Sequence, residues 1–317
     1  MILSGGKVLP PLINYNSASE LRAFLDEKGL GMRKKYGQNF LINPAIRSRL
    51  LDALELCPGD PVWEIGPGLG AMTTELLGRG ANVTAFEIDP AFAGILRENF
   101  VRELSGADRT FNLVEGDVLK TWPSCPVPEG KELFLFGNLP YNIAAVLLAD
   151  FIEKGRFFKR MVVTVQKEVA QRMASSPGSA DYSSFSVLCS SVYKVKLLQT
   201  IKSSSFFPPP KVDSQGVRLD FDPAREKLPA LFYPLVRSLF SSRRKTVRNT
   251  LSAFASSVIL RRSSYPIDSS YPMDSRDLAE EALKKVNIAG ERRPETFSIG
   301  EFAALAESLE DIVFHGH

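Results

Sequence analysis

Histidine is almost missing from this chain: two residues in 317, His315 and His317. Imidazole acid–base chemistry and a Ser-His-Asp nucleophile therefore have no residues to work with through the body of the sequence. Cysteine is nearly as scarce. Cys57, Cys125 and Cys189 lie far apart with no CxxC spacing. This argues against a disulfide framework and a zinc site, sets the expectation of no bound metal, and favours a reducing, cytoplasmic setting. No run approaches the roughly eighteen apolar residues of a membrane-spanning helix. The segment from Met1 to Lys7 lacks the charged and then apolar stretches of a signal peptide. An excess of one charge is missing too. The 39 Lys and Arg against 36 Asp and Glu leave +3, so any nucleic-acid surface must be local rather than global.

What is present fits a globular protein with one large domain and a smaller one: 44% of residues are apolar and 24% charged. Ser19 to Lys28 reads as a short amphipathic helix, stopped near Gly29 and Gly31. Three cations, Arg33, Lys34 and Lys35, then run into Tyr36-Gly37-Gln38-Asn39-Phe40-Leu41. Asn43-Pro44, a cap followed by proline at the first helical position, opens a helix to about Leu56. From there strand and helix alternate. Strands are expected at Pro61–Ile65, Asn82–Glu87, Thr110–Val114, Glu132–Gly137, Arg160–Gln166, Tyr193–Ile201 and Gly216–Phe221. Helices are expected at Leu69–Leu77, Pro90–Leu104, Asn142–Glu153, Lys167–Ala174 and Ser183–Val192. That order predicts an α/β fold with a mostly parallel sheet covered on both faces, its last two strands forming an antiparallel hairpin at one edge. After Asp222-Pro223 only helical patterns remain: Pro229–Phe240, Thr246–Ser257, Arg276–Val286 and Ile299–Leu309. Residues 1–222 are thus expected to form the sheet domain and 223–317 a smaller all-α one. The Ser-, Tyr- and Pro-rich stretch from Ser263 to Ser275 reads as a loop.

Glu64-Ile65-Gly66-Pro67-Gly68-Leu69-Gly70 follows the first of these strands and opens a helix. Glycines there allow a sharp turn and close approach to a ligand. The next strand ends in Glu87-Ile88-Asp89, where a carboxylate can take both hydroxyls of a ribose. Together these indicate an adenosine-containing cofactor, either a nicotinamide dinucleotide or S-adenosyl-L-methionine. The GxGxG spacing lacks the third glycine of a dinucleotide site, and a further acid appears at the third strand end, Glu115-Gly116-Asp117. Both details favour S-adenosyl-L-methionine. Glu64, Glu87, Asp117 and Asn138 mark successive strand ends, the edge where open α/β sheets bind ligands.

The fourth strand releases Asn138-Leu139-Pro140-Tyr141: an amide, a rigid turn and an aromatic ring, suited to hold a planar amine such as adenine. Farther on, Ser205-Phe206-Phe207-Pro208-Pro209-Pro210-Lys211-Val212 is a stiff extended loop that can present a phenylalanine as a stacking face. Last comes Ser241-Ser242-Arg243-Arg244-Lys245-Thr246-Val247-Arg248. From Phe206 to Arg262 there are eleven Lys and Arg against four Asp and Glu, which reads as a phosphate track.

Taken in order, KKYGQNFL, EIGPGLG, FEID, EGD, NLPYNI, QKEVAQR, FFPPPKVDS and SSRRKTVRNTL resemble the KsgA family of small-subunit ribosomal RNA adenine dimethyltransferases, from about Asn14 to Leu309. Two positions depart from its pattern: Tyr36 stands where Leu or Phe is usual, and YSSFSV from Tyr182 replaces Tyr-Gly-x-Leu-Ser-Val. The resemblance implies a Rossmann-like methyltransferase sheet using S-adenosyl-L-methionine. Gln38, Asn39 and Leu41, within an N-terminal segment 1–42, would close over the cofactor. Gly66 and Gly68 would lie under its methionine part, Glu87 and Ile88 at the ribose, Asp117 and Val118 at the adenine, and Asn138 beside the sulfonium.

It also implies that Asn138, Leu139, Pro140 and Tyr141 hold the target adenine with Phe206 on its other face, and that Lys211, Arg243, Arg244, Lys245 and Arg248 contact RNA. The implied reaction places two methyl groups on N6 of each of two adjacent adenines near the 3′ end of small-subunit rRNA. The implied partner is a pre-ribosomal small subunit, bound by a cytoplasmic monomer with no membrane contact. Three rival readings remain: a large-subunit rRNA adenine methyltransferase of the antibiotic-resistance type, a non-catalytic ribosome-assembly factor, and a nicotinamide-dependent oxidoreductase.

Overall fold

The computed structural model describes residues 13–31, 37–101, 110–141, 143–223, 228–242, 244–262 and 274–315. Arg33, Lys34, Lys35, Tyr36, Asn142, Arg243, His317 and most of the Ser263–Ser275 stretch lie outside the described residues. The chain divides into two compact units. One comprises the described residues of Met1–Ala170 and Lys194–Phe221, the other those of Gln171–Tyr193 and Asp222–His317. The expected boundary at 222 therefore needs a correction. Residues 171–193 belong to the second unit, because Tyr182 and Val187 are buried in its core.

In chain order the elements begin with α1 (Ala18–Glu27), β1 (Phe40–Leu41), α2 (Pro44–Asp52), β2 (Pro61–Ile65), α3 (Ala71–Gly78), β3 (Asn82–Glu87) and α4 (Pro90–Leu96). Next come β4 (Phe111–Glu115), α5 (Val118–Thr121), β5 (Phe134–Asn138), α6 (Ala144–Glu153), β6 (Arg160–Gln166) and α7 (Lys167–Met173). Then follow α8 (Ser184–Val192), β7 (Tyr193–Ile201), β8 (Phe206–Phe207) and β9 (Ser214–Phe221). The last four are α9 (Phe232–Phe240), α10 (Val247–Arg262), α11 (Ser275–Lys285) and α12 (Ile299–Glu310). Three of these were not anticipated: α5, and the two-residue strands β1 and β8, which pair antiparallel with each other. Strands this short carry no periodicity to read.

The main sheet has the order β4-β3-β2-β5-β6-β9-β7. Strands β2 to β6 pair in parallel and β9 runs antiparallel to β6. The two late strands are neighbours at one edge, as expected, with β9 inside and β7 outermost. β2 is buried along its whole length, as a strand covered on both faces must be. On one face Trp63 meets Phe86 and Phe158 edge-on, with ring centroids 5.0 and 5.6 Å apart. Another cluster joins Leu50 and Leu51 of α2 and Leu76 of α3 to Val83 and Phe136.

The strand order reverses between β2 and β5, so the segments that leave them diverge and open a crevice at the carboxyl edge. Register decides what faces it. Ile65 lies opposite Phe86 on β3 and Gly137 on β5, and Asn138 lies opposite Thr164 on β6. Gly66, Glu87 and Asn138 consequently emerge at one level, each one residue beyond those partners.

The second unit packs α8 to α12 around Phe232, Leu235, Leu251, Leu278, Phe302 and Leu305. Ser298 and Glu301 form a reciprocal capping box that starts α12. The Tyr182 hydroxyl donates to the Phe297 carbonyl at 2.9 Å, tying the earliest part of this unit to a late one.

Gly70 caps α3 with φ +92°, and a Cβ there would stand 2.6 Å from Phe100 Cε2. Gly70→Ala should therefore lose about 1–3 kcal/mol of stability. The expected readout is a lower urea midpoint at unchanged slope.

Candidate active site

The segment after β2 needs a backbone that side-chain-bearing residues avoid. Gly68 sits at φ +58°, and a Cβ on it would lie 2.9 Å from Cε1 of Phe40. Only a glycine lets that ring rest on the turn. The turn is drawn toward β3 by Glu87, whose Oε2 accepts from the Gly68 N–H at 3.0 Å and Oε1 from the Asp89 N–H at 2.8 Å. Glu87 is 4% exposed. Burial pushes its carboxyl up to about 7, the Asp89 charge adds to that, and the two N–H bonds oppose it. Behind it, Glu64 is 1% exposed and accepts from the Thr73 hydroxyl at 2.7 Å. Burial raises Glu64 to about 8, with the Glu87 charge contributing.

The segment 37–42 forms a strap over this turn. Gln38 Nε2 donates to Asp89 Oδ2 at 3.0 Å, and Asn39 Nδ2 donates to the Gly37 carbonyl at 3.0 Å. Phe40 and Leu41 pair with Phe207 and Phe206. Buried Arg47 holds the strap from below. It donates to the Leu41 carbonyl at 2.9 Å and to Asn16 Oδ1 at 2.7 Å, and pairs with Glu75 at 2.8 Å.

The facing wall is the end of β5. Asn138 Nδ2 donates to the Asn39 carbonyl at 2.8 Å, and its Oδ1 accepts from the Thr164 hydroxyl. Leu139 turns back into the core, where a Cβ on Gly137 would come within 2.6 Å of its Cδ2. That close approach is why glycine precedes Asn138. The Tyr141 hydroxyl shares a 2.7 Å hydrogen bond with Ser214 on β9. Burial raises the Tyr141 phenol, and the Ser214 bond offsets part of the rise.

Turn, strap and β5 end enclose a cavity of about 90 Å³. It is lined by Gln38, Asn39, Leu41, Gly66, Gly68, Glu87, Ile88, Asn138 and Pro140 of the expected set. Phe40, Phe92 and Thr164 line it as well and were not anticipated as site residues. The model of the family described as ribosomal RNA adenine dimethylase matches residues 29–289 of this sequence.

The chain belongs to the ribosomal RNA adenine dimethylase family.

It is 41% identical to Ribosomal RNA small subunit methyltransferase A of Treponema denticola over 308 residues, 96% of this chain and 98% of that protein. Among solved structures it is similar to a dimethyladenosine transferase from Plasmodium falciparum. There the TM-score is 0.69 at 26% identity, covering 83% of this chain and 94% of that one. It is also similar to the 23S rRNA methyltransferase ErmE, with a TM-score of 0.57 at 25% identity, covering 85% and 99%.

Methyltransferases of the dimethylase family use S-adenosyl-L-methionine. The residues present fit it chemically. A glycine turn that a side chain would fill lies beside a buried carboxylate and Ile88, an apolar residue 41% exposed in the cavity wall.

Other expected site residues are placed differently. Asp117 and Val118 are not in the cavity wall. Asp117 caps α5 by accepting from the Leu119 N–H at 3.1 Å, and Val118 is buried. Phe206 requires a correction: it is 2% exposed and packs with Leu41, Leu50 and Ile201, so it offers no stacking face in this conformation. Its pairing with Leu41 is what turns the ring inward. Arg248 requires another. Its guanidinium lies 2.5 Å from Glu280 and 2.8 Å from Glu291, two carboxylates that neutralise it. Lys211, Arg244 and Lys245 are exposed.

Glu64 and Glu87 also set a pH dependence for the family member described. Between pH 4.5 and pH 8 the folded state holds protons on these groups that the unfolded chain has released. Raising the pH through that window must therefore favour unfolding. The stabilisation is complete below pH 4.5 and lost as pH passes 7 and then 8. Glu64→Gln should flatten the decline, measured by urea denaturation across that range.

Proposed function

We infer that this protein transfers methyl groups from S-adenosyl-L-methionine to the exocyclic N6 of two adjacent adenines near the 3′ end of small-subunit ribosomal RNA, giving dimethyladenosines. The observation that carries the reading is the Asn138 amide. It stands at the end of β5 beside the glycine turn, with its nitrogen bonded to Asn39 and its oxygen at the cavity. An acceptor in that place suits an amine brought beside a methyl donor.

When bound, S-adenosyl-L-methionine supplies an activated methyl group on a sulfonium. Glu87 and the Gly66–Gly68 turn would hold its adenosine and methionine parts, and the strap would cover it. The chain's task is then to prepare the acceptor. Adenine's N6 shares its lone pair with the ring, so it is a poor nucleophile. Hydrogen bonds from the amine to Asn138 Oδ1 and the Leu139 carbonyl favour a pyramidal nitrogen whose lone pair points at the donor, and positioning supplies much of the rate. The methylated nitrogen is acidic enough to lose its proton to water, so no histidine is required. Tyr141, held by Ser214, offers the ring on which an extruded base stacks, worth roughly 1–3 kcal/mol.

The substrate we propose is an assembling small subunit, met by a cytoplasmic monomer. Among the described residues no helix is long and apolar enough to cross a membrane. Exposed Arg244, Lys245 and Lys211 are assigned to the RNA backbone, and Arg248 is not. The near-full-length likeness to a small-subunit methyltransferase supports this target over large-subunit RNA.

Labelled S-adenosyl-L-methionine offered with undermethylated small subunits and, separately, with large subunits tests the assignment. Label should appear on two adjacent small-subunit adenines, and label confined to large subunits would overturn it. Asn138→Ala should retain cofactor binding by calorimetry yet show no methyl transfer. Arg244→Ala combined with Lys245→Ala should weaken RNA binding and lower the log–log salt slope by about 1.5.

A further inference from the structure

The acceptor clamp works with only one orientation of the Asn138 amide, and two neighbours set it. The Asn39 carbonyl can only accept, so the atom 2.8 Å from it must be Nδ2. Turning the amide over would set Oδ1 against that carbonyl, oxygen to oxygen. Oδ1 is therefore on the other side, where it accepts from the Thr164 hydroxyl. An amide oxygen has two lone pairs; Thr164 takes one and leaves one for a substrate amine.

Thr164 is out of place by composition. It is the only polar residue within Met161–Val165 and is 0% exposed. A buried hydroxyl is costly unless bonded, and here its partner is the site amide. Its main chain serves the same turn, since its carbonyl accepts from the Leu139 N–H at 3.1 Å and its Cα is the register partner of Asn138. Valine at this position keeps the volume and the carbonyl bond and removes the hydroxyl alone. The terminal torsion of asparagine is broad, so an amide tethered only at Nδ2 would rock about that bond.

We propose that Thr164 is a positioning residue for methyl transfer, its hydroxyl holding the Asn138 amide with Oδ1 turned to the adenine amine. This rests on the reading of Asn138 as the acceptor of that amine. Thr164 acts through Asn138, so its removal lowers kcat while cofactor affinity and the KM for RNA stay within about twofold.

Thr164→Val, Thr164→Ser and Asn138→Ala are compared in label transfer to undermethylated small subunits, with cofactor affinity measured by calorimetry. Thr164→Val should lower kcat about tenfold, the value of one hydrogen bond, and Thr164→Ser should restore it. Wild-type kcat in Thr164→Val with an inactive Asn138→Ala overturns the proposal and leaves the clamp standing. An active Asn138→Ala overturns the clamp itself. Loss of cofactor affinity in Thr164→Val, or a serine variant as slow as the valine one, makes Thr164 a packing residue and also overturns the proposal. Should the valine variant fail to fold, Thr164→Ala against Thr164→Ser gives the same comparison.

Discussion

Everything at the carboxyl edge of the sheet depends on the register of β2 between its two neighbours. With Ile65 opposite Phe86 and Gly137, the residues that follow are Gly66, Glu87 and Asn138, all at one height. Slipping either neighbour by one residue would turn Glu87 or Asn138 to the opposite face and bury an unpaired polar group. The register is enforced by the aromatic side chains below it. Trp63 and Phe86 interlock across the β2–β3 pair, and no shift preserves that contact. The hydrophobic core and the polar site are thus one constraint expressed at two levels of the same strands.

The polar groups at that edge gain their properties from how little water reaches them. Glu87 and Glu64 are raised by burial, and each also feels a second carboxylate. Their hydrogen-bond donors are backbone N–H groups and the Thr73 hydroxyl, neutral dipoles fixed by the fold, and no guanidinium or ammonium supplies those bonds. The cations elsewhere behave otherwise. Arg47 is consumed in tying the strap to α3, and Arg248 is consumed between two glutamates. A basic residue's position in a run says little about whether its charge is available. What it touches decides that.

Much of the arrangement was legible in the sequence. β2, β3, β6 and β7 begin and end where their apolar runs and turn residues place them, because a buried parallel strand is an uninterrupted apolar stretch. The glycine turn and Asn138-Leu139-Pro140-Tyr141 could be read because their chemistry is local. Contacts made at long range could not. The ring of Phe206 was expected in the site, but pairing with Leu41, 165 residues earlier, commits it to the core. Arg248 meets carboxylates delivered by α11 and the segment after it. Thr164 did leave a trace, as one hydroxyl in an apolar strand, but its meaning appears only once β5 lies beside β6.

The helical unit is assembled from two stretches of chain, and the Tyr182–Phe297 bond closes it across 115 residues. During synthesis, residues 171–193 emerge before the last strands of the sheet, β7 and β9, are complete. They then wait, with Tyr182 and Val187 uncovered, until nearly the whole chain has left the ribosome. A fragment ended after Phe221 would carry that apolar surface permanently, and a fragment begun at Asp222 would lack part of its own core. The two units are separable by eye in space, but no single cut in the polypeptide separates them.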